Sequence, residues 1–231
     1  MGRFKQLISE LRQEHISDWW FESYELMLNE QNPEVFQPQF DAYERAFELI
    51  PLIDWECFKN KVVPIFKQNT QDRGKQQFFA QLNEAFAYEY LYSCGYNEIK
   101  FQSENKKRKV ADLSFMSSQM LGECEVKSIF RSQDELDRAN GGVFSSAVYA
   151  ELSDGFFNKL KYDADNALSK MSSSQIRIVY FIIAFDDPML LFLKDYRRQI
   201  YEFFENLYPS TIFYFQVGLS RNHGFSFGKC A

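Results

Sequence analysis

Apolar positions recur at helical spacing through the first part of the chain. Phe4, Leu7, Ile8 and Leu11 follow the i, i+3, i+4, i+7 stripe of an amphipathic helix. Trp19, Trp20, Tyr24, Met27 and Leu28 make a second stripe, with Ser17 as its expected N-cap. Asn32-Pro33 and Gln37-Pro38 are expected to break the chain. Phe40, Tyr43, Phe47 and Ile50 give a third stripe, ended by Pro51, and Trp55, Phe58, Val62 and Phe66 a fourth. Polarity rises over residues 71–74, which places a boundary there. The spacing predicts one long helix over 75–94, apolar on most sides and closed by Gly95.

Beyond Gly95 the period shifts from 3.6 towards 2. Residues 96–102, 110–115, 121–129, 176–185 and 212–218 read as strands rich in β-branched and aromatic side chains. Helices are expected over 153–171, with Phe157, Leu160, Lys161, Ala164 and Leu168 on one face, and over 190–207, before Pro209. The segment 176–185 is almost wholly apolar, as a central strand covered on both faces should be. The order predicts an α/β fold: a mixed central sheet flanked by helices, occupying 71–231 and preceded by a helical N-terminal region over 1–70.

Composition narrows the class. In 231 residues, 45% are apolar and 18% aromatic, enough for a sizeable core and incompatible with a disordered or collagen-like chain. Most aromatics sit at helical or strand spacing and are read as core. No apolar run reaches the length of a membrane helix, and the charged N-terminus does not resemble a signal peptide. Four scattered cysteines without a paired motif point to the cytoplasm. Two histidines, His15 and His223, far apart in sequence, argue against zinc and His-centred hydrolysis. The net charge of −6 resides in residues 1–100, where 10 Lys and Arg face 16 Asp and Glu; the rest is balanced. Global acidity weighs against non-specific nucleic-acid binding but permits a local basic groove.

The informative stretch is Leu121-Gly122-Glu123-Cys124-Glu125-Val126-Lys127-Ser128. In a strand, Glu123, Glu125 and Lys127 share one face and Cys124, Val126 and Ser128 the other. Three charges on an interior strand need compensation. A turn through Ser117-Ser118-Gln119 would set Asp112 beside this strand, where Asp112 and Glu125 could share one cation. Hard oxygen ligands with open positions suit Mg²⁺ or Mn²⁺. Such an ion lowers the pKa of a bound water and polarises a phosphoryl oxygen. Lys127 stands by to orient the water or stabilise growing charge. Glu84, in mid-helix among apolar residues, also needs a partner.

Asp, a turn, then Glu-x-Lys resembles the PD-(D/E)XK nuclease superfamily, the restriction-endonuclease-like fold. The resemblance spans about residues 75–185: Glu84 on a helix, Asp112, Glu125 with Lys127, the helix over 153–171 and the strand over 176–185. It implies Asp112, Glu125 and the Val126 carbonyl as ligands of Mg²⁺ or Mn²⁺, with Lys127 assisting the nucleophilic water. Glu84 would help hold the metal or its waters, although an ion pair with a neighbour such as Lys127 is the competing reading. Lys161 is a candidate for a helical lysine entering the site. Ala111 stands where the family's pattern has Pro, and Glu123 offers a competing register that lacks a Lys two positions later.

The run Lys106-Lys107-Arg108-Lys109, with Arg131, is a candidate phosphate-backbone contact, against a default reading as a solvated tip. The expected function is a divalent-metal-dependent nuclease, with DNA ahead of RNA as substrate. The first alternative is a catalytically silent nuclease-fold module acting in nucleic-acid binding or protein assembly, its N-terminal helices docking a protein partner or a second copy. In a third reading the carboxylates form only structural ion pairs.

Overall fold

The computed structural model describes residues 2–29, 33–67, 75–103, 109–130, 151–171, 174–185, 191–205, 207–208, 210–218 and 223–227. The chain forms two compact units, residues 1–104 with 112–119, and 105–111 with 120–231. The boundary expected at 71–74 falls outside the described residues.

The first unit contains α1 (Arg3–Glu14), α2 (Trp20–Asn29), α3 (Pro33–Glu48), α4 (Leu52–Phe66), α5 (Gln76–Leu82), α6 (Glu84–Ser93), β1 (Asn97–Phe101) and β2 (Leu113–Ser117). Its core is aromatic: Phe4, Tyr43, Phe47, Phe58, Phe66, Phe78 and Phe86 are fully buried. Rings meet directly, Tyr43 on Phe86 at 4.7 Å and Phe58 on Phe101 at 4.6 Å between centroids. Strands β1 and β2 run antiparallel with Phe101 opposite Leu113, and the register slips between Asn97 and Lys100, where Glu98 takes a φ of 49°.

Three local expectations are corrected here. The cap of α2 is Asp18, whose Oδ1 accepts from the Trp20 N–H at 3.0 Å, in place of Ser17. Pro33 opens α3 as a first-turn proline, but Pro38 lies inside that helix. The later turns of α3 bury Tyr43, Ala46 and Phe47, so the helix is anchored beyond the one ladder bond that Pro38 cannot make. The long helix expected over 75–94 is divided at Asn83, which is buried and accepts the Tyr43 hydroxyl on Oδ1 at 2.6 Å. Asn83 keeps a right-handed backbone (φ −63°, ψ −18°), so α6 begins directly at Glu84.

The second unit is a mixed sheet with helices against it: β3 (Met120–Ile129), α7 (Asp154–Lys170), β4 (Ile176–Ile183), α8 (Leu193–Phe204), β5 (Ile212–Val217) and β6 (His223–Phe227). Strands β3, β4 and β5 are parallel neighbours in that order, and β6 pairs antiparallel with β5. The parallel pairs are joined through segments containing α7 and α8, as parallel strands require. Strand β6 has no counterpart among the expected strands; its short His-Gly-Phe-Ser-Phe run carries little β pattern. One core joins Val179, Phe181 and Ile183 of β4 and Phe213, Phe215 and Val217 of β5 to Leu160, Ala164 and Ala167 of α7 and Tyr196, Ile200 and Phe204 of α8.

Helix α7 starts where Ser153 Oγ accepts the Phe156 N–H at 3.2 Å. Its buried face is Leu160, Asp163, Ala164 and Ala167, while Phe157 and Leu168 flank it, partly buried. Lys161, expected on that face, is half exposed and pairs with Asp165 at 2.6 Å, a helical i, i+4 contact.

Candidate active site

The strand alternation of β3 puts Glu125 and Lys127 on one face and Cys124 on the other. Glu125 is 1% exposed, and its strand partner is Val179 of β4. A carboxylate so far from water needs positive charge, since unpaired burial of an ion is costly. Two lysines supply it. Lys127 Nζ donates to Glu125 Oε1 at 2.7 Å, and Lys170 Nζ, from the last turn of α7, donates to the same oxygen at 2.5 Å. Glu123, on the same alternation, accepts from the Ser174 hydroxyl at the start of β4. Val126 lies opposite Tyr180.

The second group lies in the other compact unit. Glu84 is the first residue of α6 and only 4% exposed. Lys61 Nζ, from α4, donates to both carboxylate oxygens, at 2.8 Å and 2.9 Å, and Gln81 Nε2 also donates to Oε1. Asp112 is half-buried immediately before β2, and its carbonyl accepts from the Gln102 N–H at 2.8 Å. The strand expected over 110–115 thus begins at Leu113, leaving Asp112 at its threshold. Burial, then the negative charge of Asp112, pushes the Glu84 carboxyl up to about 8, against the opposing pull of Lys61 and Gln81. A buried carboxylate that a second negative charge pushes upward in this way is a place where a hard cation is welcome.

No family model, no curated protein and no solved structure matches this chain.

Glu84 and Asp112 stand together in the first unit, and Glu125, Val126 and Lys127 belong to the second. Among the described residues, no three His, Cys, Asp or Glu side chains are gathered as a metal-holding group. The Glu84–Asp112 pair of the first unit still suits a hard divalent ion: its donors are oxygens, buried or half-buried, and the charge of Asp112 on Glu84 is one a cation would relieve. Of the basic run, Lys109 is exposed, whereas Lys106, Lys107, Arg108 and Arg131 lie outside the described residues.

Sequence reasoning missed two side chains. Lys170, not Lys161, is the α7 lysine on Glu125; the legible signal was its place on the buried stripe of Leu160, Ala164 and Ala167. Lys61 belongs to a helix in which no chemistry was expected. It adjoins Val62 and lies one turn after Phe58, both fully buried, at the edge of the apolar stripe.

Proposed function

We propose that this chain is a divalent-metal-dependent nuclease of the PD-(D/E)XK type, with a restriction-endonuclease-like core, acting on DNA ahead of RNA. The observation that carries the reading is the pairing of a fully buried Glu125 with Lys127 two residues on; within the first unit, Asp112 raises Glu84. Asp112, Glu125 and the Val126 carbonyl are the residues to hold Mg²⁺ or Mn²⁺, with Glu84 behind Asp112. When bound, the ion supplies Lewis acidity, lowering the pKa of a water and neutralising charge on a phosphoryl oxygen. Lys127, anchored by Glu125, offers its remaining N–H donors to the attacking water and to charge that develops on the phosphate. Lys109 and its basic neighbours in sequence supply charge for the backbone phosphates.

One observation favours the silent-module alternative. Both oxygens of Glu84 and Oε1 of Glu125 already have lysine partners, which a purely structural ion-pair network also requires. In that reading the partners are nucleic acid, a protein or a second copy of the chain, bound without turnover. Among the described residues no helix is long and apolar enough to cross a membrane.

Cleavage of single-stranded, duplex and branched DNA and of RNA, with Mg²⁺, Mn²⁺ or chelator, separates these readings. The nuclease reading expects metal-dependent cutting by the wild type and a loss of at least about a hundredfold in Lys127→Ala and Asp112→Ala. Equal activity in both variants, or none with any substrate and metal, would sink it.

A further inference from the structure

Lys61 stands out among the lysines of the first unit. Its helix, α4, packs on α5 and β1 through Trp55, Phe58, Val62 and Phe66, so its stem leaves a fixed apolar face. Its side chain is 17% exposed, and its ammonium bridges both oxygens of a carboxylate that is 6% exposed. Gln81, one turn before Glu84, adds a third donor to that carboxylate. The negative charge of Asp112 acts on the same carboxylate, in opposition to Lys61.

We infer that Lys61 is the resident counter-cation of the Glu84–Asp112 pair, and that a divalent ion reaching this pair must compete with its ammonium. The inference rests on the metal-dependent reading above and adds to it a component from the N-terminal helices. The two oxygens of Glu84 already accept three hydrogen bonds, so about one lone-pair site is left, and a metal that takes both oxygens displaces at least one of those bonds. The lysine thereby sets how tightly the ion is held. It also keeps the buried carboxylates compensated when the ion is away. Lys61 is a positioning residue in this scheme, acting on substrate only through Glu84 and Asp112.

The test is Mn²⁺ binding to the full chain, read from the electron paramagnetic resonance signal of the free ion. Lys61→Gln is expected to bind about tenfold tighter than wild type, the effect of removing one unit charge a few ångströms away in a partly screened site. Lys61→Arg, which keeps the charge, should stay near wild type, and adding Glu84→Gln to Lys61→Gln should erase the gain. Loss of fold lowers Mn²⁺ binding and cannot imitate the expected tightening. Reductive methylation of the unmodified wild type gives a second readout: Mg²⁺ should raise labelling of Lys61 several-fold over chelator. Wild-type binding with no tightening in Lys61→Gln, or Lys61 labelling indifferent to Mg²⁺, would overturn the inference alone. Absence of Mn²⁺ binding in wild type and Lys61→Gln alike would overturn the metal-dependent reading with it.

Discussion

At the scale of single residues, the chain compensates buried acids with lysines. Glu84 has Lys61, Glu125 has Lys127 and Lys170, and Asp18 has Lys75, whose ammonium also lies 3.6 Å from the centre of the Phe66 ring. Lysine suits this use because a long apolar stem can cross the core while its head meets the acid. An exposed counterpart gives a contrasting test. Asp165 is held below the usual carboxylate range by its hydrogen bond from Lys161, then by that from the Tyr208 hydroxyl at 2.7 Å. A depressed carboxylate pKa adds stability that is present above the unfolded value and lost as pH falls through the folded one. Half exposure keeps that contribution small and salt-sensitive. In a carboxyl-detected NMR titration, Lys161→Ala should raise the Asp165 midpoint, and Tyr208→Phe should raise it less. No movement in either variant would contradict the assigned cause.

At the scale of elements, α7 shows what pattern can and cannot specify. Ser153 caps it, and Ser153→Ala should lower stability by about 1 kcal/mol, measured as a fall in the denaturation midpoint without a change in slope. An unchanged midpoint would mean that water replaces the cap at no cost. Ala164 and Ala167, both fully buried, let the helix approach the sheet closely, and this is how Lys170 reaches Glu125. The expected face had Leu160 and Ala164 right but took in Lys161 and left out Ala167 and Lys170, since small residues carry almost no periodic signal. Strands β1, β3, β4 and β5 lie within a few residues of their expected positions because runs such as Ile-Arg-Ile-Val-Tyr-Phe-Ile-Ile bury nearly every side chain. The interruption at Asn83 was not legible; the partner of its side chain is a hydroxyl 40 residues away.

At the scale of the whole molecule, the N-terminal helices are part of a compact unit that also includes α5, α6, β1 and β2. Phe78 and Phe86 are fully buried there, and their ring partners include Phe66 and Tyr43 from the preceding helices. Removing residues 1–70 would uncover those rings and take Lys61 away from Glu84. The remainder, 71–231, is expected to be insoluble or to lose cooperative unfolding by circular dichroism. A soluble, cooperatively folding remainder would show that the helical region is an independent appendage. The acidity of residues 1–100 belongs to this unit, so contact with nucleic acid is expected from the balanced remainder of the chain.

The sequence by itself determined the order of most helices and strands, β6 and the division at Asn83 apart, the α/β character, and the face on which Glu125 and Lys127 meet. These follow from periods of 3.6 and 2, which are local properties of the backbone. It also singled out Glu84 as an acid in need of a partner, because an acid within an apolar pattern is visible without a fold. Only the tertiary structure decided which ammonium answers each acid. Lys61 is 23 residues from Glu84 and Lys170 is 45 from Glu125. Contacts of that separation are set by how helices pack, and no period along the chain encodes them.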